Sequence, residues 1–162
     1  MIPVDQEEDF DMAIDERWKG HPPLPDDLEM RLPAVVARLR RAGADLVYRF
    51  GSTTGGKEPV DESKRRPADL DLAIWGLEED PWGVRADLEQ ILGTDRLDLV
   101  RLESADPELR FRIVSSGQRL YAESPQRENE VELRILREHQ DLGPFRRVQR
   151  RYLRARHEVD GP

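Results

Sequence analysis

The sequence predicts an α/β (α+β) domain built on one small sheet of about four strands flanked by helices. Three observations carry this expectation. Short β-prone runs alternate with longer stretches whose apolar residues recur at helical spacing. Glycine and proline punctuate the joints between them. The 162 residues are enough for one domain with a real core, but not for two large ones.

The elements follow in chain order. Residues 1–27 read as an acidic, flexible N-terminal extension ending in His21-Pro22-Pro23-Leu24-Pro25. A first helix is expected over about 28–42, where Leu28, Leu32, Val35, Val36 and Leu39 share a face. Pro33 suggests that its well-formed part begins near that residue, and Gly43 ends it. Asp45–Phe50 is a strand that delivers Gly51-Ser52 at its C-terminal end. A polar stretch, Thr53 to Arg66, precedes a second strand at Asp69–Trp75. Pro81–Leu92 reads as a helix closed by Gly93, and Arg96–Leu102 as a third strand around Asp98. Asp106-Pro107-Glu108 combines an N-cap residue, a proline at the first helical position and an acid in the first turn. That helix should run to about Ser116. Arg119–Ala122 forms a fourth strand, and Ser124-Pro125 opens a long helical region to about His157, kinked at Gly143-Pro144. The organisation is thus an extension (1–27), a core domain (28–124) and an arginine-rich helical region (125–162) packed on it.

Composition narrows the function. Apolar and charged residues each make up 37% of the chain, and no stretch approaches the roughly 20 apolar residues of a membrane span. The acidic N-terminus lacks the basic and apolar regions of a signal peptide. Cysteine is absent, which excludes disulfides, thiol catalysis and thiolate metal sites. A cytoplasmic protein is expected. The net charge of −8 is carried by residues 1–30, while Arg146, Arg147, Arg150, Arg151, Arg154 and Arg156 crowd the other end. That basic face covers the core or docks an acidic partner; its aromatics are too sparse for nucleic-acid stacking.

The chemistry concentrates in Ala68-Asp69-Leu70-Asp71-Leu72-Ala73-Ile74. On a strand, residues two apart face the same way, so Asp69 and Asp71 share a surface about 7 Å apart along the backbone. Leu70, Leu72 and Ile74 face the core. Adjacent carboxylates repel, and a divalent cation with a preference for hard oxygen ligands, such as Mg²⁺, resolves that repulsion. Asp98 lies between Leu97 and Leu99 and can join the pair if the second and third strands are neighbours. Three carboxylates would then surround one or two Mg²⁺ ions and a nucleoside triphosphate, with one able to accept a proton from an attacking hydroxyl. Gly51-Ser52 after a strand lets backbone N–H groups and a hydroxyl approach a phosphate.

The series Phe50-Gly51-Ser52, Ala68–Ile74 and Leu97-Asp98-Leu99-Val100 resembles the polymerase-β-type nucleotidyltransferases, most closely the minimal MntA-type antitoxins paired with HEPN toxins. The resemblance covers about residues 30–157. It implies a mixed sheet, nucleotide contacts from Gly51 and Ser52, and metal binding and catalysis by Asp69, Asp71 and Asp98. It further implies ATP as substrate and transfer of AMP to a hydroxyl, a tyrosine of a cognate HEPN-type RNase toxin. Two departures stand out. Sixteen residues, Thr53–Ala68, separate the two motifs where about ten are usual, and Thr53 stands where an arginine commonly follows the serine. The longer loop brings Lys57, Lys64, Arg65 and Arg66 near the site as possible phosphate contacts. Neutralisation by binding alone, and transfer to a small molecule of aminoglycoside type, are the alternatives. Only about 40 residues follow the fourth strand, too few for an acceptor-binding domain. The histidines His21, His139 and His157 show no ligand spacing, and Trp75 and Trp82 are expected to fill core space.

Overall fold

The computed structural model describes residues 17–51, 69–144 and 147. Its elements are α1 (Leu28–Arg41), β1 (Leu46–Phe50), β2 (Leu70–Trp75), α2 (Pro81–Leu92), β3 (Leu97–Arg101), α3 (Pro107–Ser116), β4 (Gln118–Ala122) and α4 (Pro125–Asp141). The strands form one mixed sheet in the order β3-β2-β1-β4. β1 runs antiparallel to both β2 and β4, whereas β2 and β3 are parallel. A parallel pair needs a crossover, and α2 supplies it.

Helices cover both faces of the sheet. On one, α1 contributes Leu28, Leu32, Val35 and Leu39, and α2 contributes Val84, Leu88 and Leu92. They close over Val47, Leu70, Leu72, Ile74 and Leu97. On the other, Ile113 of α3 and Val131 and Ile135 of α4 close over Leu46, Tyr48, Ala73 and Trp75. The strands feeding two cores read as nearly continuous apolar runs for that reason. In β2 the sole position that is not buried is Asp71. Leu72 is fully buried at the centre of the sheet. Leu72→Ala should cost about 2–5 kcal/mol in urea unfolding, from lost transfer energy and the cavity left behind.

Local signals explain the boundaries. Asp80 accepts a hydrogen bond from the Gly83 amide at 3.0 Å, Asp106 from Glu108 at 2.9 Å, and Ser124 from Arg127 at 3.1 Å. Each of these helices starts with proline, whose missing N–H is no loss there.

Two expectations need correction. α1 begins at Leu28, as expected, but it is already well formed ahead of Pro33, which lies inside the helix. Burial of Leu28 and Leu32 and an Asp27–Arg31 ion pair at 2.8 Å hold the turn before the proline. Trp82 does not fill the core: it is 79% exposed, on the first turn of α2, away from the side that buries Val84 and Leu88. α4 ends at Asp141, and after the interruption at Leu142 positions 143, 144 and 147 are helical again, so the expected break falls next to Gly143-Pro144. The arginine cluster at 146–156 lies outside the described residues except Arg147, and His157 lies outside them too. Trp75 is buried, and His139 stacks on Phe111 with ring centroids 3.7 Å apart. Among the described residues no helix is long and apolar enough to cross a membrane.

Residues 17–27, the later part of the segment expected as an extension, lie against the domain. Trp18 and Leu24 are buried, Leu24 within the core beneath α1 and α2.

Candidate metal and nucleotide site

Topology brings three separate pieces of chain to one end of the sheet. Because β2 and β3 are parallel and paired with Leu70 opposite Leu97, Asp71 stands opposite Asp98. Asp69 immediately precedes β2 and projects to the same face as Asp71. Because β1 is antiparallel to β2, its C-terminal residue Phe50 pairs with Asp71, and the chain leaves the sheet there through Gly51. Carboxylate oxygens of Asp69, Asp71 and Asp98 all lie within 4.8 Å of one another. All three side chains are partly buried.

Gly51 is required on two counts. Its φ of +71° is left-handed backbone that a side chain disfavours. A Cβ there would also overlap Asp71 Oδ2 and lie 2.9 Å from Asp71 Cγ. The backbone therefore passes against the Asp71 carboxylate at a distance that only glycine allows.

The electrostatics are those of a cluster short of positive charge. Burial pushes the Asp71 carboxyl up to about 6, with further upward pressure from Asp69 and Asp98 and a smaller opposing pull from Arg17. Asp69 is also raised, first by burial and then by Asp98. The Trp18 side chain and the charges of Arg17 and Arg96 pull it back. Arg17 Nη2 donates to both oxygens of Asp98, at 2.9 and 3.1 Å. Carboxylates held together at the expense of their own ionisation, offering hard oxygen donors, suit Mg²⁺, and their residues fit the ion that the fold implies.

Ser52, Lys57, Lys64, Arg65 and Arg66 lie outside the described residues. Arg17 and Trp18 are the residues that sequence reasoning missed. Their available signal is a tryptophan flanked by two bases, Arg17-Trp18-Lys19, in an otherwise acidic segment. The tryptophan has surface to bury and the flanking bases have charge to pair.

Comparison with known proteins matches this architecture. Solved structures with the same fold include a toxin–antitoxin with AMP-PNP (TM-score 0.61, 24% identity, covering 75% of this chain and 97% of the matched chain). A second is a tri-AMPylated Shewanella oneidensis HEPN toxin in complex with an MNT antitoxin (TM-score 0.59, 22% identity, 77% and 97% covered). A third is the toxin–antitoxin MntA–HepT (TM-score 0.58, 21% identity, 77% and 97% covered). The search of curated proteins finds no match. The family model for polymerase beta nucleotidyltransferases matches residues 39–126, from the end of α1 through β4 into α4 and across the whole acidic cluster. With more than half its length so matched, the chain belongs to the polymerase beta nucleotidyltransferase family.

Proposed function

We propose that the protein is a Mg²⁺-dependent nucleotidyltransferase antitoxin that moves AMP from ATP to a hydroxyl of a cognate HEPN-type RNase toxin, a tyrosine side chain, and so neutralises it in the cytoplasm. The observation that carries this is the convergence of Asp69, Asp71 and Asp98 at the sheet end where Gly51 leaves β1. Asp69, Asp71 and Asp98 would hold one or two Mg²⁺ ions. An ion held there would supply positive charge to offset the phosphates and to favour in-line displacement at the α-phosphorus. Gly51 keeps the backbone low enough for the triphosphate to approach, with Ser52 supplying a hydroxyl and Lys57, Lys64, Arg65 and Arg66 further positive charge. Asp98 accepts the proton as the acceptor oxygen forms its bond to the α-phosphorus, and the bond to the departing pyrophosphate breaks. The matched complexes, one with a tri-AMPylated toxin and one with AMP-PNP, support the substrate and partner classes.

Labelled ATP, Mg²⁺ and the product of the adjacent gene, incubated with this protein, should give a labelled partner. Transfer that survives Asp69→Asn combined with Asp71→Asn would end the enzymatic reading. One observation favours a second reading, neutralisation by binding alone: Arg17 already supplies Asp98 with a cation. On that reading the double variant still silences the toxin.

A further inference from the structure

We propose that Arg17 is a built-in counter-ion of the carboxylate cluster, held there by an anchored strap, and that it competes with the divalent cation for Asp98. The inference rests on Asp69, Asp71 and Asp98 being metal ligands, and it adds a regulation of that site.

The strap is fixed at several points to the turn that leads into β3. Arg96 Nη2 donates to the carbonyls of Trp18 and His21 at 3.1 and 3.0 Å. The Thr94 hydroxyl donates to the Pro22 carbonyl at 2.5 Å, and His21 Nδ1 lies 2.5 Å from Asp95 Oδ2. Trp18 is 6% exposed, and its ring meets His21 edge-on. Each of these partners, Thr94, Asp95 and Arg96, falls within four residues of Asp98 in sequence.

Arg17 is different. Its side chain is 56% exposed, and its guanidinium lies 4.7 Å from the centroid of the Trp18 ring while gripping Asp98 through both oxygens. Backbone anchoring with an exposed side chain means that Arg17 can leave Asp98 by rotation while the strap stays in place. A guanidinium and a divalent cation need the same Asp98 oxygens and repel each other at that range. Binding of one therefore weakens the other, by linkage.

Calorimetric titration of the metal-free, full-length protein with Mn²⁺, without nucleotide or partner, tests this. Arg17→Gln should bind Mn²⁺ about fivefold or more tightly than the parent protein, the low end of common coupling strengths. Arg17→Lys should stay closer to the parent than Arg17→Gln does, because the contact is made by one nitrogen, Nη2, shared between both Asp98 oxygens, and an ammonium keeps that charge and can donate in the same way. Equal affinities for the parent and Arg17→Gln overturn the proposal. So does tighter binding by Arg17→Lys than by Arg17→Gln, because a retained cation can only weaken binding of the metal. In either case, loss of binding in Asp71→Asn would leave the metal reading standing. Binding by none of the proteins overturns both. A second readout uses Trp82→Phe as background, removing the exposed indole. Mg²⁺ should then shift tryptophan emission as Arg17 leaves the Trp18 ring, and the shift should vanish with Arg17→Gln. An unchanged shift in that variant also counts against the contact.

Discussion

Asp71→Asn is expected to abolish AMP transfer while making the metal-free protein more stable at neutral pH. The loss should reach about three orders of magnitude, the scale found when a group that handles developing charge is removed. The gain follows from the carboxyl's environment. Burial and the neighbouring acids raise its pKa from the ordinary 3.8 to about 6, so the folded chain holds that proton more tightly than the unfolded chain. Stability from this group is fully present below about pH 4 and is lost as pH rises to about 6. The carboxyl is only partly buried, so solvent screening reduces the effect to about 1 kcal/mol. Asparagine keeps the shape and drops the charge. Urea unfolding between pH 4 and 7 in chelator should show the variant's stability falling less steeply, with the curves separated at pH 7. Parallel curves would mean that the cluster carries no such strain. Adding Mg²⁺ at pH 7 should stabilise the parent protein and not the variant, because a ligand that binds the folded state alone stabilises by mass action. At pH 4, where the Asp71 carboxyl holds its proton, Mg²⁺ should do little for the parent as well.

This opposition between stability and chemistry explains which parts of the site were legible in the sequence. Asp69-Leu70-Asp71 can be read because a two-residue period puts both acids on one face whatever the rest of the fold does. Asp98 is readable only conditionally. Its flanking leucines orient it, but its nearness to Asp71 depends on β2 and β3 being parallel neighbours in that register. Ala73 and Trp75 carry a similar lesson. The run looks one-sided around Leu70, Leu72 and Ile74, yet the other face also meets a core, from α3 and α4. Trp82 misled because a large aromatic at a helix start has no helical period to place it. Arg17 lies 81 residues from Asp98 in sequence, and no local pattern encodes a pairing of that separation. A segment rich in acids reads as solvated, although two of its residues, Arg17 and Trp18, are the ones that touch the site.

Gly51→Ala should damage the site from the backbone side, and a double-mutant cycle can separate its two causes. Alanine at φ +71° costs about 1–2 kcal/mol wherever left-handed backbone is imposed on a side chain. That part should persist in any background. The second part is the overlap between the new methyl and the Asp71 carboxylate, which must be relieved by moving Asp71 away from Asp98 or by lifting the chain as it leaves β1. Either movement opens the cluster, so AMP transfer should fall by at least about tenfold beyond any loss of folded protein. Asp71→Ala removes the group that is struck. Gly51→Ala should therefore be less destabilising in an Asp71→Ala background than in the parent, by a coupling of about 0.5–3 kcal/mol. Asp71→Asn retains the side chain's bulk and should show little relief. Additive effects of Gly51→Ala and Asp71→Ala in urea unfolding would show that the close approach contributes nothing. The glycine would then serve the turn alone, and the packing of β1's exit against the acidic cluster would be incidental to how the site is held.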